Sequence, residues 1–370
     1  MKYLKKFNTS TERDSFLASN QNIFYPYIHY VSEDNDVKFS GEEVEVPFYI
    51  ESSTGSKVYF SSVPYEYSYD GLTWTTVESN VGVTIGKNEK CYFRAYTIDS
   101  TTRGIGSFSS STNASTTKWK LGGNIMSMLY GEDFKDKTKI EREECFYQMF
   151  YGRNETIDAS RLALPATEIS RLCYASMFAG CTNMTKTPSI LPATKLEVQC
   201  YFHMFSGCTR IKKGPKLPAT KLAKLCYDHM FKECTALTET PDLPATTLAD
   251  SCYSYMFQYC RNLTKASNLP AKVLEPSCYS GMFHSCGLVS APVISATILN
   301  SSSCQYMFDS CSSLIKAPSL PATTLANNCY SYMFRGCTSL VTAPVLPAKQ
   351  GELIAIQICS MVAQTLTTLR

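Results

Sequence analysis

The chain has 370 residues, 44% hydrophobic and 18% charged, with 17 cysteines and a formal net charge of +3. Such a composition belongs to a folded protein rather than a disordered one, and so small a charge, with no Lys/Arg run interleaved with aromatics, argues against nucleic acid as a partner. No apolar run approaches a bilayer span, and the opening MKYLKKFNTSTERDSF turns polar and acidic before an export-signal core develops, so neither membrane insertion nor a secretion leader is expected.

Residues 1–40 read as a separate amino-terminal anchoring module. Thr9 and Glu12 stand at capping-box spacing, which predicts a short helix over Ser10–Ala18, and Tyr27–Val31 and Val37–Phe39 flank the polar turn SEDND as a hairpin. This is little chain for a core of its own, so it is expected to pack on something else. Residues 41–100 carry short strand-like runs, VEVPFYI, KVYF, YEYS, TWTTV, GVTI and CYFRAY, and read as a small all-β sandwich. Asp70-Gly71 predicts a tight hairpin with both residues at positive φ. Ser68, Asp70, Thr73 and Trp74 resemble the Asp-box hairpin of sialidase propellers, one residue short of its spacing, and are read as a structural turn. Residues 101–144 begin Ser/Thr/Gly-rich, as a linker, and end in GGNIMSMLYGEDF, as a capping segment.

From Leu164 to Pro347 one sentence recurs seven times, roughly LPATxLxxxCYxxMFxGCTxLxxAP, with first cysteines at 173, 200, 226, 252, 278, 304 and 329. Units of about 26 residues are too short to bury their own apolar positions, so residues 145–348 are expected to stack as a right-handed α/β solenoid. Cys145–Arg153 is its degenerate first copy. Each unit is predicted as a strand near SLVTA, an extended LPAT corner and a helix near ANNCYSYMF, with parallel strands about 4.8 Å apart. On that helix Cys329, Met333 and Cys337 share one inward face at i, i+4 and i+8. Cysteines two helical turns apart are roughly 12 Å from each other, beyond disulfide reach. Bridges between successive copies stay geometrically possible, but the CxxC pairing typical of zinc is absent, and the thiols are expected to be reduced and buried rather than bridged or metal-bound, with no cofactor.

Two columns of the repeat are candidate binding surfaces. Lys186, Lys213, Lys265 and Lys316 alternate with Glu239, Ser290 and Thr342 in one strand position, a discontinuous basic ladder for anionic glycans or a solvated face that keeps the sheet soluble. Tyr174, Tyr201, Tyr227, Tyr253, Tyr279 and Tyr330 form the other, a sugar platform or a rung-on-rung stack with wet hydroxyls. His203 and His229 share a position in adjacent copies and, lacking a carboxylate in the pattern, are read as surface residues rather than a metal site. No GxSxG, HExxH or P-loop occurs and no acidic pair recurs, so a catalytic role is not expected; a carbohydrate-active enzyme is the remotest reading.

MFRGCTSL followed by an apolar-Pro corner resembles the AF-x-x-C-x-x-L core of BspA-like leucine-rich repeats of gut bacteria, in a longer Cys/Met-rich variant. The preceding β-domain and the NIMSMLYGEDF segment resemble the usual neighbours of that repeat. Residues 2–39, with KKFNTSTERDSF and EDNDVKF, are similar to a leader on structural proteins of phages that infect gut Bacteroidales. These resemblances imply a non-enzymatic structural or recognition protein, a virion component contacting other virion proteins, or a host-surface protein or glycan, with homo-oligomers allowed; the alternative is a bacterial cell-surface adhesin. In the tail, residues 349–370, the repeat vanishes. Read from the third base of each codon, Met361-Val362 encodes Gly, and the surrounding codons can encode a further repeat, so the tail is read as frame-shifted, with a true cap as the alternative.

Overall fold

The computed structural model describes residues 42–61, 64–96, 108–110, 116–342 and 344; the anchoring module at 1–40 and the tail at 349–370 lie outside them. The amino-terminal part is built from β1 (Tyr49–Ser52), β2 (Ser56–Phe60), β3 (Tyr65–Ser68), β4 (Thr75–Val77), β5 (Val83–Ile85), β6 (Glu89–Ala95), β7 (Phe108–Ser110) and β8 (Trp119–Asn124), and β9 (Thr156–Ala163) follows in the first repeats. These form one sheet in the order β4-β3-β6-β1-β8-β9 and a second, β5-β2-β7. Alternation sets the faces: in β6 the side chains of Cys91, Phe93 and Ala95 turn inward while their neighbours are partly open. Between the sheets Phe60 meets Tyr65, Phe93 and Phe108 at 4.5, 5.3 and 5.0 Å between ring centroids, and Phe108 meets Trp119 edge-on at 5.1 Å. Aromatic edges on faces at these separations bind such a layer beyond its area alone.

Two local expectations differ here. Gly71 has φ 76° but Asp70 is not left-handed, and β3 and β4 are joined by six residues rather than a two-residue turn. The Asp70 carboxylate organises that loop by accepting the N–H groups of Leu72 and Thr73 at 2.8 and 2.7 Å and the Ser68 hydroxyl at 2.8 Å. Those donors hold its carboxyl far below the usual range, the Thr73 N–H contributing most. The sheet also runs on past residue 100: β8 lies inside the expected linker, pairing antiparallel with β1 and parallel with β9. It therefore joins the β unit to the repeats without a break.

Along the repeats, parallel bridges link residues about one copy apart: Lys139 to Glu168 to Lys195, Lys221 to Thr247, Glu239 to Lys265, and Ser290 to Lys316 to Thr342. Near the carboxyl end the LPAT corners lengthen into β10 (Val273–Leu274), β11 (Ile298–Leu299) and β12 (Thr324–Leu325), a parallel sheet.

The segment expected to be helical is not. From Leu172 to Cys181 alternate residues close turns three apart, Ala175 N–H to Leu172 O at 3.2 Å, Met177 to Tyr174 at 3.2 Å, Ala179 to Ser176 at 3.1 Å and Cys181 to Phe178 at 3.1 Å. The intervening residues donate to the next copy instead, Leu172 to Val198, Tyr174 to Cys200, Ser176 to Phe202, Phe178 to Met204 and Gly180 to Ser206, at 2.7–3.2 Å. Every fourth residue is left-handed, with φ 54° at Leu172, 54° at Ser176 and 75° at Gly180, and the other copies repeat this. The result is a ribbon of turns with a period of four. Asn, Ser, Gly, Cys and Tyr are weak helix formers, and Asn and Gly enter the left-handed region at low cost, so the copy ANNCYSYMFRG gives a helix little support. Stacking then offers acceptors to the N–H groups that a helix would pair within itself.

A four-residue period puts i, i+4 and i+8 on one side just as a helix does, so the Cys-Met-Cys face is buried although its carrier differs. All sixteen described cysteines are free and buried. In the second cysteine column each thiol donates to the phenylalanine carbonyl one copy back: Cys208 to Phe178 at 3.0 Å, Cys234 to Phe205 at 3.2 Å and Cys260 to Phe231 at 3.0 Å, with Cys286, Cys311 and Cys337 continuing the series. Burial pushes these thiols up, Cys181 and Cys337 to about 12. A native chain should therefore resist a thiolate-directed reagent at neutral pH and release nearly all its thiols on denaturation without reductant; a large oxidised fraction in fresh protein would refute this.

One register differs from the sequence reading. Tyr279 N–H donates to Ser303 O and Cys304 N–H to Cys329 O, both at 2.8 Å, so Ser303 occupies the first cysteine column and Cys304 the tyrosine column. That shift explains the seven-residue spacing to Cys311 where other copies have eight.

Candidate functional site

The lysine column faces outward. Lys186, Lys213, Lys265 and Lys316 are exposed, as are Glu239, Ser290 and Thr342 between and after them. Lys186 is tied to Asp158 at 3.0 Å, and Glu239 bridges in register with Lys265, so the ladder is punctuated by carboxylates rather than continuously basic. The residue preceding this column changes along the stack. It is Thr185, Lys212, Thr238 and Thr264 at first, then Val289, Ile315 and Val341, exposed by 46, 48 and 63% and linked through Ile315 N–H to Val289 O and Val341 N–H to Ile315 O. One face thus passes from polar to apolar within seven copies.

The tyrosine column is not a surface. Tyr174, Tyr201, Tyr227, Tyr253, Tyr279 and Tyr330 are each at most 2% exposed, which removes them from any sugar platform and corrects the expectation of wet hydroxyls. From Phe146 to Tyr253 the rings stack at 5.4–5.7 Å, nearly parallel. They are buried because the ribbon turns two adjacent residues of every four inward, Cys-Tyr and then Met-Phe, where a helix would have turned the tyrosine aside. The hydroxyls of Tyr174, Tyr227 and Tyr279 are buried without a hydrogen-bond partner. Tyr227→Phe is accordingly expected to leave stability unchanged or raise it by about 1 kcal/mol in chemical denaturation, since an unpaired buried hydroxyl is a net cost. A loss above that size would show that the hydroxyl is bonded.

His203 and His229 are half-buried and stacked, 4.6 Å between centroids and 6° between planes, with Tyr255 continuing the stack at 5.1 Å. Gly281 makes room for the Tyr255 ring, because a Cβ there would lie 2.1 Å from it. A carboxylate does stand beside the pair, contrary to the sequence reading: Asp228, buried, accepts from His229 Nδ1. The ligand atoms of His203, Asp228 and His229 all lie within 4.8 Å of one another. Imidazole lone pairs lie in the ring planes, however, and an ion about 2.1 Å along one lone pair stands well outside the plane of the parallel ring, so this stack does not chelate without turning a ring.

Burial, with repulsion from His229 and Lys232, pushes His203 down to about 4. The unfolded chain then holds more protons than the folded one between that value and the ordinary His pKa of about 6.5, so stability is complete above the upper limit and drains away as pH falls through the window. His203→Ser, with the residue that Ser176 supplies at this position one copy earlier, should flatten the pH dependence of the unfolding midpoint between pH 6.5 and 4. An unchanged slope would refute the assignment.

A depression of about 310 Å³ is lined by Lys139, Glu141, Glu168, Lys195 and Glu197 among others. Glu168 is bonded there to Lys195 at 2.6 Å, and that bond lowers its pKa, the opposite of what a general acid requires. No helix among the described residues is long and apolar enough to cross a membrane. No known family, curated protein or solved structure matches the chain.

Proposed function

We propose that this chain is a non-enzymatic recognition or structural protein, a phage virion component whose repeats form a leucine-rich-repeat-type solenoid that displays one outward face to a protein or glycan. The observation that carries the reading is the register of the exposed column. Lys213, Lys265 and Lys316 stand in one exposed column and Val289, Ile315 and Val341 in the exposed column that precedes it, while the Cys, Met, Phe and Tyr columns are sealed inside. Backbone bonding between copies makes the frame, and the outward positions vary freely over it, which is how repeat stacks generate extended binding surfaces. Ladders of turn ribbon take the place of short helices in this form of the repeat. The virion reading rests on residues 2–39 and their likeness to a phage leader. The adhesin reading rests on the likeness of MFRGCTSL to BspA-like repeats and shares the same face.

Two measurements test the proposal together. Mass spectrometry of purified phage particles whose genome carries this gene should find this chain with capsid or tail proteins; finding it instead in bacterial envelope fractions favours the adhesin. Lys213→Glu, Lys265→Glu and Lys316→Glu combined should weaken binding to sulfated or uronic-acid glycans, or to host cells, by about tenfold or more while the melting curve stays in place. Unaltered binding removes this face from recognition.

A further inference from the structure

Each extended pass of chain between two ribbons carries three outward positions: the one before the lysine column, the one before the LPAT corner and the one after it. In the pass from Arg210 to Lys221 all three are lysine, Lys212, Lys216 and Lys221, and all are exposed. Arg210 and Lys213, exposed beside them, complete a band of five cations, with no acidic residue from 210 to 224. The backbone fixes their line: Lys216 N–H donates to Ser189 O and Leu191 N–H to Lys216 O, both at 3.0 Å, and Lys221 bridges in register with Thr247. The fold does not ask for lysine here. The same three positions hold Thr238, Asp242 and Thr247 in the next pass, and Val289, Val293 and Ile298 two passes further on. The five cations are also uncommitted. Lys186, Lys195 and Lys224 nearby are held by Asp158, Glu168 and Asp250 at 3.0, 2.6 and 2.8 Å, whereas Arg210, Lys212, Lys213, Lys216 and Lys221 stand in no ion pair among the described residues.

Given the recognition role proposed above, on which this rests, we infer that the band binds an acidic polysaccharide laid across the stack. Like charges held on one strip repel one another, and a polyanion relieves that repulsion. The direction is set by the next copy. Glu239 and Asp242 stand there in the columns of Lys213 and Lys216, so a polyanion running along the stack meets carboxylates after one step, while one running from Arg210 to Lys221 meets only cations. The chemistry is set by the surroundings. Thr185, Thr220, Thr238 and Thr247 are the exposed neighbours, and their hydroxyls suit a hydroxylated chain. Among the described residues no large apolar side chain between Tyr151 and Val273 is exposed, so the strip lacks both the aromatics that stack nucleic-acid bases and the anchors that a protein interface buries.

Affinity measurements on the full chain test this, with a sulfated glycosaminoglycan, polygalacturonate and a single-stranded DNA oligonucleotide as probes. Lys212→Gln, Lys216→Gln and Lys221→Gln combined should weaken binding to the glycans by about thirtyfold or more and flatten its salt dependence. Lys57→Gln, Lys87→Gln and Lys137→Gln remove the same net charge from exposed positions outside the repeats and should change it by less than about threefold. Should the band variant melt lower than the parent, the three single substitutions, each expected to cost about threefold, carry the test. Equal losses in the two triple variants overturn the band, because net charge alone is then at work. If the band variant binds as the parent does while Lys265→Gln with Lys316→Gln does not, the band is overturned and the lysine column stands; if neither changes, the whole face is removed from recognition. A parent that binds neither glycan, or binds the DNA more tightly than both, overturns the ligand assignment.

Discussion

Phe231→Ala is expected to destabilise the chain by about 3–5 kcal/mol and to split one unfolding transition into two. Phe231 is fully buried at the middle of an eight-ring column, 5.5 Å from Phe205 and 5.6 Å from Phe257 with planes within 9°. Removing the ring leaves a cavity walled by backbone that is bonded to both neighbouring copies, so collapse is hindered. In a stack held by nearest-neighbour contacts, the copies on either side then communicate less well. Denaturant unfolding followed by exchange at separate copies reads both effects. A single transition with a loss under about 1 kcal/mol would mean that the ring column is not what couples the copies.

The second large effect is expected where the β unit meets the repeats. Gly123, in β8, has φ 75°, and a Cβ there would sit 2.1 Å from the Pro47 carbonyl oxygen and 3.1 Å from Phe48 Cα. These are backbone atoms, and β8 is held on both sides, by β1 and by β9, so neither party can step away. Gly123→Ala should cost about 3 kcal/mol, combining left-handed strain with overpacking. Gly152 supplies the control: its φ is 67° but nothing lies within 4 Å of the added carbon, so Gly152→Ala should cost about 1 kcal/mol. Equal losses at the two sites, read as shifts in melting temperature, would exclude the steric explanation.

Repetition and burial were legible without coordinates. Copies of about 26 residues must share a core, and the strand-like runs appear as β1–β6 close to where alternation places them, except that the start of VEVPFYI lies in a short helix, Glu42–Glu45, and its strand begins only at Tyr49. The inward cysteines and methionines were legible too, because any backbone with a period near four turns i, i+4 and i+8 the same way. For the same reason the pattern could not say which backbone it was. A helix and a turn ribbon differ in where the residues between those positions point, and Tyr174 and its counterparts, expected at the surface, are inside. The signal that was available is partial: Gly, Asn or Ser stands at some of the positions where positive φ is needed, as at Ser176 and Gly180 or at Asn328 and Gly336, but Leu172, His229 and Tyr332 occupy others.

Other features depended on residues distant in the chain. Cys304 stands in the tyrosine column because the hydrogen bonds from Tyr279 to Ser303 and from Cys304 to Cys329 set the register, and a spacing count can slip by one with no local penalty. Asp228 meets His229 because the left-handed residue between turns swings the imidazole back over its own neighbour, and the two histidines stack because copies lie one above another. Composition and period are properties of the chain itself, so they survive without a fold. The choice of ribbon over helix, the burial of the tyrosines and the closure of the stack by β7 and β8 all depend on hydrogen bonds made to another copy or another sheet, and those exist only once the chain has come together.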